Sequence, residues 1–252
     1  MGESHAAANQ YQASTDGQDI DVRSNQTANG NVTADTRLNV ASNSGATTSI
    51  TTTAVGNSGE AGVTGGVLTG VLTQTTGATA IAGLSHIEAP DAQAGDVDTT
   101  TQAQGNSHIV SVSAGVAGVR VNQSNAAQVT TNGGGVYGLV TGTAQFQANT
   151  MANDITYVGD QGSGTRLATS QQNNAALTQA AQFTAFGQVQ DGKTIASAAG
   201  NNLDAVNDGF LLDATVDQRN HAYVRAQAET SAASFGAVAA QAYALVKGRK
   251  YD

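Results

Sequence analysis

The side chains able to do chemistry are few and widely spaced. Two carboxylate pairs, Asp96/Asp98 and Asp213/Asp217, sit at spacings that place both members on one face of a strand. Paired carboxylates of this kind do general acid–base work in β-helix enzymes that process polysaccharides. In so sparsely charged a chain, alternating Asp is equally a solubility device, and no nucleophile–base pair accompanies it. His5, His86, His108 and His221 include no two at a metal-ligand spacing and read as exposed turn or strand residues. "DGQDID" (16–21) and "NDGFLLD" (207–213) approach calcium loops. They match neither the helix-loop pattern nor the Gly-rich nonapeptide, so they read as turns. "GDQGSG" (159–164) lacks the Lys-Ser/Thr of a phosphate loop. Tyr137, Tyr157, Tyr223 and Tyr243, where exposed, could stack on sugars or on another protein. The expectation is a protein that is not an enzyme, with no catalytic, cofactor-binding or metal-binding residue and no cofactor.

What must position these residues is set by an unusual composition. Charged residues are 12% and aromatic residues 4%, with 30 Gly, one Pro and no Cys. Disordered chains favour Pro, Glu and Lys over the Val and Thr abundant here. Zero Cys excludes disulfides and thiolate metal sites. A net charge of −9 with scattered basic residues does not suit a phosphate backbone, so no nucleic-acid partner is expected. No run of 18 apolar residues offers a transmembrane helix. Met1–His5 carries no secretory signal, which fits a cytosolic chain or a mature secreted domain.

One polar phrase recurs. It begins at Gln26 ("QTANGNVTA"), Gln74 ("QTTGATAIA"), Gln123 ("QSNAAQVTT"), Gln171 ("QQNNAALTQ") and Gln218 ("QRNHAYVRA"), at intervals of 48, 49, 48 and 47 residues. Its fifth position is always Gly or Ala and its seventh always apolar. A second anchor, a small residue followed by Asn, occurs at Asn9, Asn57, Asn106, Asn149 and Asn201. It precedes the next Gln by 17 residues in four cases and by 22 in the Asn149 unit, which points to an insertion near 159–164. Because the two anchors resemble each other ("QGN", "QSN"), each unit reads as two related half-units.

Apolar residues alternate around polar ones, as in Ile20-Asp21-Val22 and Val119-Arg120-Val121, and Gly/Asn clusters punctuate the runs. These features predict an all-β β-solenoid (β-helix) of five repeats of about 48 residues, with two coils per repeat and about ten coils. At a strand spacing of ~4.8 Å, ten coils would form a body about 45–50 Å long. Its interior would be narrow and poor in Phe and Trp. The ten Gln and Asn anchors would form structural ladders, their amides bonding to copies above and below. The expected organisation is a flexible N-terminus (1–6), a single repeat domain (7–247) and a tail (248–252), with "AAQAYALVKG" (239–248) as a last strand or divergent cap.

The Gln-x-Asn-x-small-x-apolar phrase resembles curli-type repeats. The alternation "GNS…GGVLTGVLTQTTGATAIAG" is similar to the holdfast-anchor proteins of stalked α-proteobacteria, over roughly residues 7–247. That resemblance implies an extracellular adhesion protein attached to the bacterial outer-membrane surface, tying adhesive polysaccharide to the cell. The curli likeness implies functional-amyloid-type fibres, whereas the unequal half-units point to a finite or end-to-end-stacking solenoid. The expected partners are another copy, another surface protein or polysaccharide. The alternative is a carbohydrate-binding or carbohydrate-cleaving β-helix of the phage-spike or lyase kind.

Overall fold

The computed structural model describes residues 1–246. Along it run twelve strands: β1 (Gly2–Asp16), β2 (Ile20–Ala28), β3 (Val32–Asn39), β4 (Asn43–Thr64), β5 (Val67–Thr76), β6 (Ala80–Ser113), β7 (Val116–Asn125), β8 (Gln128–Gly159), β9 (Gly164–Asn173), β10 (Leu177–Asn207), β11 (Leu211–Asn220) and β12 (Tyr223–Leu245). Burial alternates along them, as in β3 and β7, because successive side chains on a strand point to opposite faces. The described residues are all-β, in two parallel sheets.

One sheet runs β2-β5-β7-β9-β11, so each of the five Gln phrases contributes one strand. The other runs β1-β4-β6-β8-β10-β12, with β3 also paired to β6. Its long strands turn corners. Thr131 and Thr150, both in β8, share a 2.8 Å hydrogen bond, and Thr184 and Thr194 in β10 share one of 2.7 Å. Bulges at Ala89/Gln93 and Val189/Asp191 mark where the chain bends.

The register corrects the expectation of two coils per repeat. Partners along the chain lie 46 to 50 residues apart in every pairing, as in Gly2↔Ile50, Val67↔Val116, Thr178↔Val129 and Leu177↔Tyr223. Each 48-residue unit therefore supplies one level of each sheet, and its two half-units do not stack. They face each other across the interior instead: Asn57 Nδ2 donates to Thr75 O at 2.9 Å and Gln74 Nε2 to Ser107 O at 2.8 Å. Five levels at ~4.8 Å make a stack of roughly 20–25 Å, about half the expected length.

Gly2–Ala6, within the segment expected to be flexible, begin β1 and pair with Ile50–Ala54. The Ala-rich C-terminal segment is strand as far as Leu245, and the expected tail at 248–252 lies outside the described residues. The interior also holds aromatics, contrary to expectation: Tyr137, Tyr157 and Phe146 are among the largest fully buried side chains. One coil of 48 residues encloses more width than two half-length coils would, so a ring fits.

The turn between the two sheets recurs with a left-handed residue at Gly17 (φ 68°), Gly65 (φ 67°), Ala114 (φ 47°) and Gly162 (φ 80°). Ala114 bears the Cβ clash that glycine avoids. Ala114→Gly is therefore expected to stabilise the fold by about 0.5–1 kcal/mol, and Gly65→Ala to destabilise it by about 1 kcal/mol, both measured by urea denaturation.

Candidate functional site

Two facing columns of amides occupy the interior between the sheets. On β2, β5, β7, β9 and β11, Gln26, Gln74, Gln123, Gln171 and Gln218 align in register. Each Gln after the first donates through Nε2 to the Oε1 of the Gln one level toward the N-terminal end, at 2.5–2.9 Å. The same nitrogens of Gln26, Gln74, Gln123 and Gln171 also reach across to the main-chain carbonyls of Ser58, Ser107, Asp154 and Asn202 at 2.7–2.9 Å. Most of the column is nearly dry: Gln74, Gln123 and Gln171 are 1–3% exposed.

The opposite sheet answers with an Asn column of reversed polarity. Asn9, Asn57, Asn106 and Asn153 donate to the next Oδ1 toward the C-terminal end, finishing on Asn201, at 2.7–2.8 Å. All five also donate across to the carbonyls of Thr27, Thr75, Ser124, Gln172 and Arg219 at 2.9–3.0 Å. Asn149 is not in this column. It aligns with Gln102 and Ser197 and is half-exposed, while Asn153 pairs with Asn106. The sequence holds the same small-Asn dipeptide twice here, at Ala148-Asn149 and Ala152-Asn153. Only the second keeps the spacing, 18 residues before Gln171, so the unit is one residue longer than its neighbours and not five.

A third column escaped sequence reading. Asn125 Nδ2 donates to Asn173 Oδ1 at 2.9 Å, and Asn173 Nδ2 to Asn220 Oδ1 at 2.8 Å. The signal was present as the Asn two residues after Gln123, Gln171 and Gln218. The residue before each Asn-column member must be small: a Cβ on Gly56 would lie 2.5 Å from Gly105 O, and one on Gly105 would lie 2.3 Å from Ala152 O.

The chemically suggestive residues do not converge. Asp213 and Asp217 each face an arginine, Arg166 at 3.7 Å and Arg219 at 3.1 Å, and Asp96 accepts the Thr143 N–H at 2.8 Å. Asp98 is exposed. "DGQDID" and "NDGFLLD" act as turns: Asp19 accepts the Val67 N–H at 2.9 Å, and the Asp208 N–H reaches Gly159 O at 2.8 Å. In "GDQGSG", the Asp160 carboxylate accepts Ser113 Oγ–H at 2.6 Å. Tyr223 and Tyr243 are exposed, whereas Tyr157 is buried and donates to Thr165 Oγ1 at 2.8 Å. Among the described residues, no three His, Asp or Glu side chains are grouped as a metal site.

His5, His86 and His221 are exposed, but His108 is fully buried, against expectation. It shares a column with Tyr11 and Gly59, and Tyr11 reaches over the bare glycine so that its hydroxyl shares a 2.6 Å hydrogen bond with His108 Nε2. A Cβ on Gly59 would lie 2.5 Å from the Tyr11 ring. Burial drives the His108 pKa down to about 4 and pushes the Tyr11 hydroxyl up to about 12. Burial also raises the pKa of Asp154, whose carboxylate accepts from Asn202 at 2.8 Å and Gln104 at 3.3 Å.

A family model described as HfaD, holdfast attachment protein D, matches residues 1–246. The chain belongs to this family, and the resemblance to holdfast-anchor proteins holds. Neither the curated proteins nor the solved structures gave a match. Membership brings a role in holdfast adhesion and a cell-surface or extracellular location. No helix among the described residues is long and apolar enough to cross a membrane.

Two measurements check this site. Gln123→Ala strands Gln74 Oε1, one Gln171 N–H and the Asp154 carbonyl, each costing about 1–3 kcal/mol, so urea denaturation should show a loss of about 3 kcal/mol or more. Arg120→Ala, on the exposed face, should change stability by less than about 0.5 kcal/mol. His108 is held neutral when folded, so the unfolded chain binds its proton first as pH falls. Stability is then present above pH 6.5 and is lost down to about pH 4. Asp154 acts oppositely, favouring the fold at low pH and costing stability as pH rises through its raised pKa. His108→Gln should flatten the loss between pH 6.5 and 4, which reaches about 3 kcal/mol in the wild type.

Proposed function

We propose that the chain is a β-solenoid that serves holdfast attachment mechanically, as a non-enzymatic anchor on the outer-membrane surface. The observation that supports it is the run of Gln and Asn columns through successive levels of both sheets. The ten positions proposed from the sequence as a ladder serve this role with one exchange, Asn153 for Asn149. Load entering one level passes to the next through main-chain ladders and amides together. Pulling along the stack must break many hydrogen bonds at once, and a protease finds few extended segments to bind. The load is carried between adhesive polysaccharide or a surface protein on one side and the cell on the other.

The carbohydrate-cleaving alternative has less support, because Asp96/Asp98 and Asp213/Asp217 lie apart and each arginine-facing carboxylate is already engaged. Holdfast-bearing cells whose only copy carries Gln123→Ala should shed adhesive under flow at shear that wild-type cells withstand. Cells carrying Arg120→Ala should match wild type. Retention equal in both strains would refute the mechanical reading, and release of reducing ends from acidic polysaccharide by the purified protein would favour the enzymatic one.

A further inference from the structure

We infer that the C-terminal end of the stack receives the N-terminal end of a second copy of this chain, extending both sheets in register. This rests on the solenoid reading and specifies its partner and polarity. Both ends carry open parallel edges, but their chemistry differs. Nine of the sixteen exposed large apolar side chains lie at or beyond Val206, whereas only Met1 falls in the first 40 residues. Val216 and Phe235 among them are interior positions left bare, whereas Leu211 and Val206 continue columns already exposed at Val116 and Val158. Val216 continues the interior column of Leu72, Val121 and Thr169, yet it is 44% exposed because no strand covers it.

The amide columns specify the direction. Among the described residues, Gln218 Oε1 receives no hydrogen bond, although each earlier Gln Oε1 accepts from the next level. At the other end, Gln26 Nε2 donates one hydrogen to Ser58 O, while Gln74, Gln123 and Gln171 use both of theirs. An incoming Gln26 placed on Gln218 supplies the missing donor to the missing acceptor. Ser24 then covers Val216, and Val22 covers Ala214, as the columns of this sheet require. Two C-terminal ends brought together would instead oppose two acceptors and run their strands against the register.

Gly2 aligns through Ile50, Thr99, Phe146 and Thr194 with Ala240. A second copy seated in this register would place its Gly2 over Thr194. Its residues 3–7 compete with Gln241–Leu245 for the edge at Ile195–Ala199, so one of these short segments gives way at each junction.

The test uses the full chain in sedimentation velocity over rising concentration, with electron microscopy of the concentrated sample. The wild type should polymerise, more than doubling its weight-average mass, with an axial repeat of about 24 Å per chain, five spacings of ~4.8 Å. Val216→Asp places an unpaired charge on the terminal rung, and Ser24→Asp does so on the first; each alone should remain monomeric. Mixed, they should give dimers and nothing larger. Ser24→Lys replaces Ser24→Asp if the latter does not fold. Circular dichroism separates the two levels of the claim. A monomeric wild type with a β spectrum overturns the stacking inference, and a helical or coil spectrum overturns the solenoid reading itself. Dimers of Ser24→Asp alone, or polymers of Val216→Asp, also overturn the head-to-tail arrangement.

Discussion

The structure depends on one constraint: the amides of the Gln and Asn columns, buried between two sheets, must find their partners in the levels above and below and across the interior. Gln123 meets it by donating along the stack to Gln74 and across it to Asp154 O while accepting from Gln171. A buried unpaired amide costs free energy comparable to a lost hydrogen bond or more, so the column works only as a whole. Shifting a strand by one residue would turn these side chains to the solvent face and bring shorter or charged outward neighbours, such as Ser124 or Arg219, into the interior. The amides thereby set the register that hydrophobic pairing alone would leave loose in so Ala- and Gly-rich a chain.

Apolar packing is arranged around this polar seam. One cluster, with Leu68, Leu72, Val110, Val121 and Ile155, fills the space on one side. A smaller one, with Ala54, Ile81, Ala103 and Val129, lies on the other, next to the corner where Gly56 and Gly105 admit neighbouring backbone. A third holds Phe146 edge-on to Phe186, with centroids 5.9 Å apart. The core is thus divided into strips that run along the stack, each repeating small or branched side chains. An exception in one level is absorbed by a gap in another, as where Gly59 makes room for Tyr11 to meet His108.

For a protein of holdfast attachment, such a design separates strength from binding. On the mechanical reading proposed above, the interior columns would carry load whatever the surface displays, leaving the outward residues free to vary. Among the described residues, Arg23 pairs with Asp21 and Arg37 with Asp35 on a mildly acidic exterior. Exposed pairs of this kind contribute little to stability. They shape solubility more than fold.

By itself, the sequence determined the strand character, the 48-residue period and the Gln anchors, because alternation and self-similarity are local and survive in one dimension. Only the tertiary structure decided that the two half-units face each other instead of stacking, since "QGN" and "QSN" look alike whether they lie above or across from one another. It also decided that Asn153, not Asn149, joins the column, because two identical dipeptides four residues apart differ only in where the corner of β8 falls. His108 could not be placed from its neighbours: its burial follows from Gly59 and Tyr11, 49 and 97 residues away in the chain. Period is written in the chain, but which side of a coil a residue meets depends on where the backbone turns.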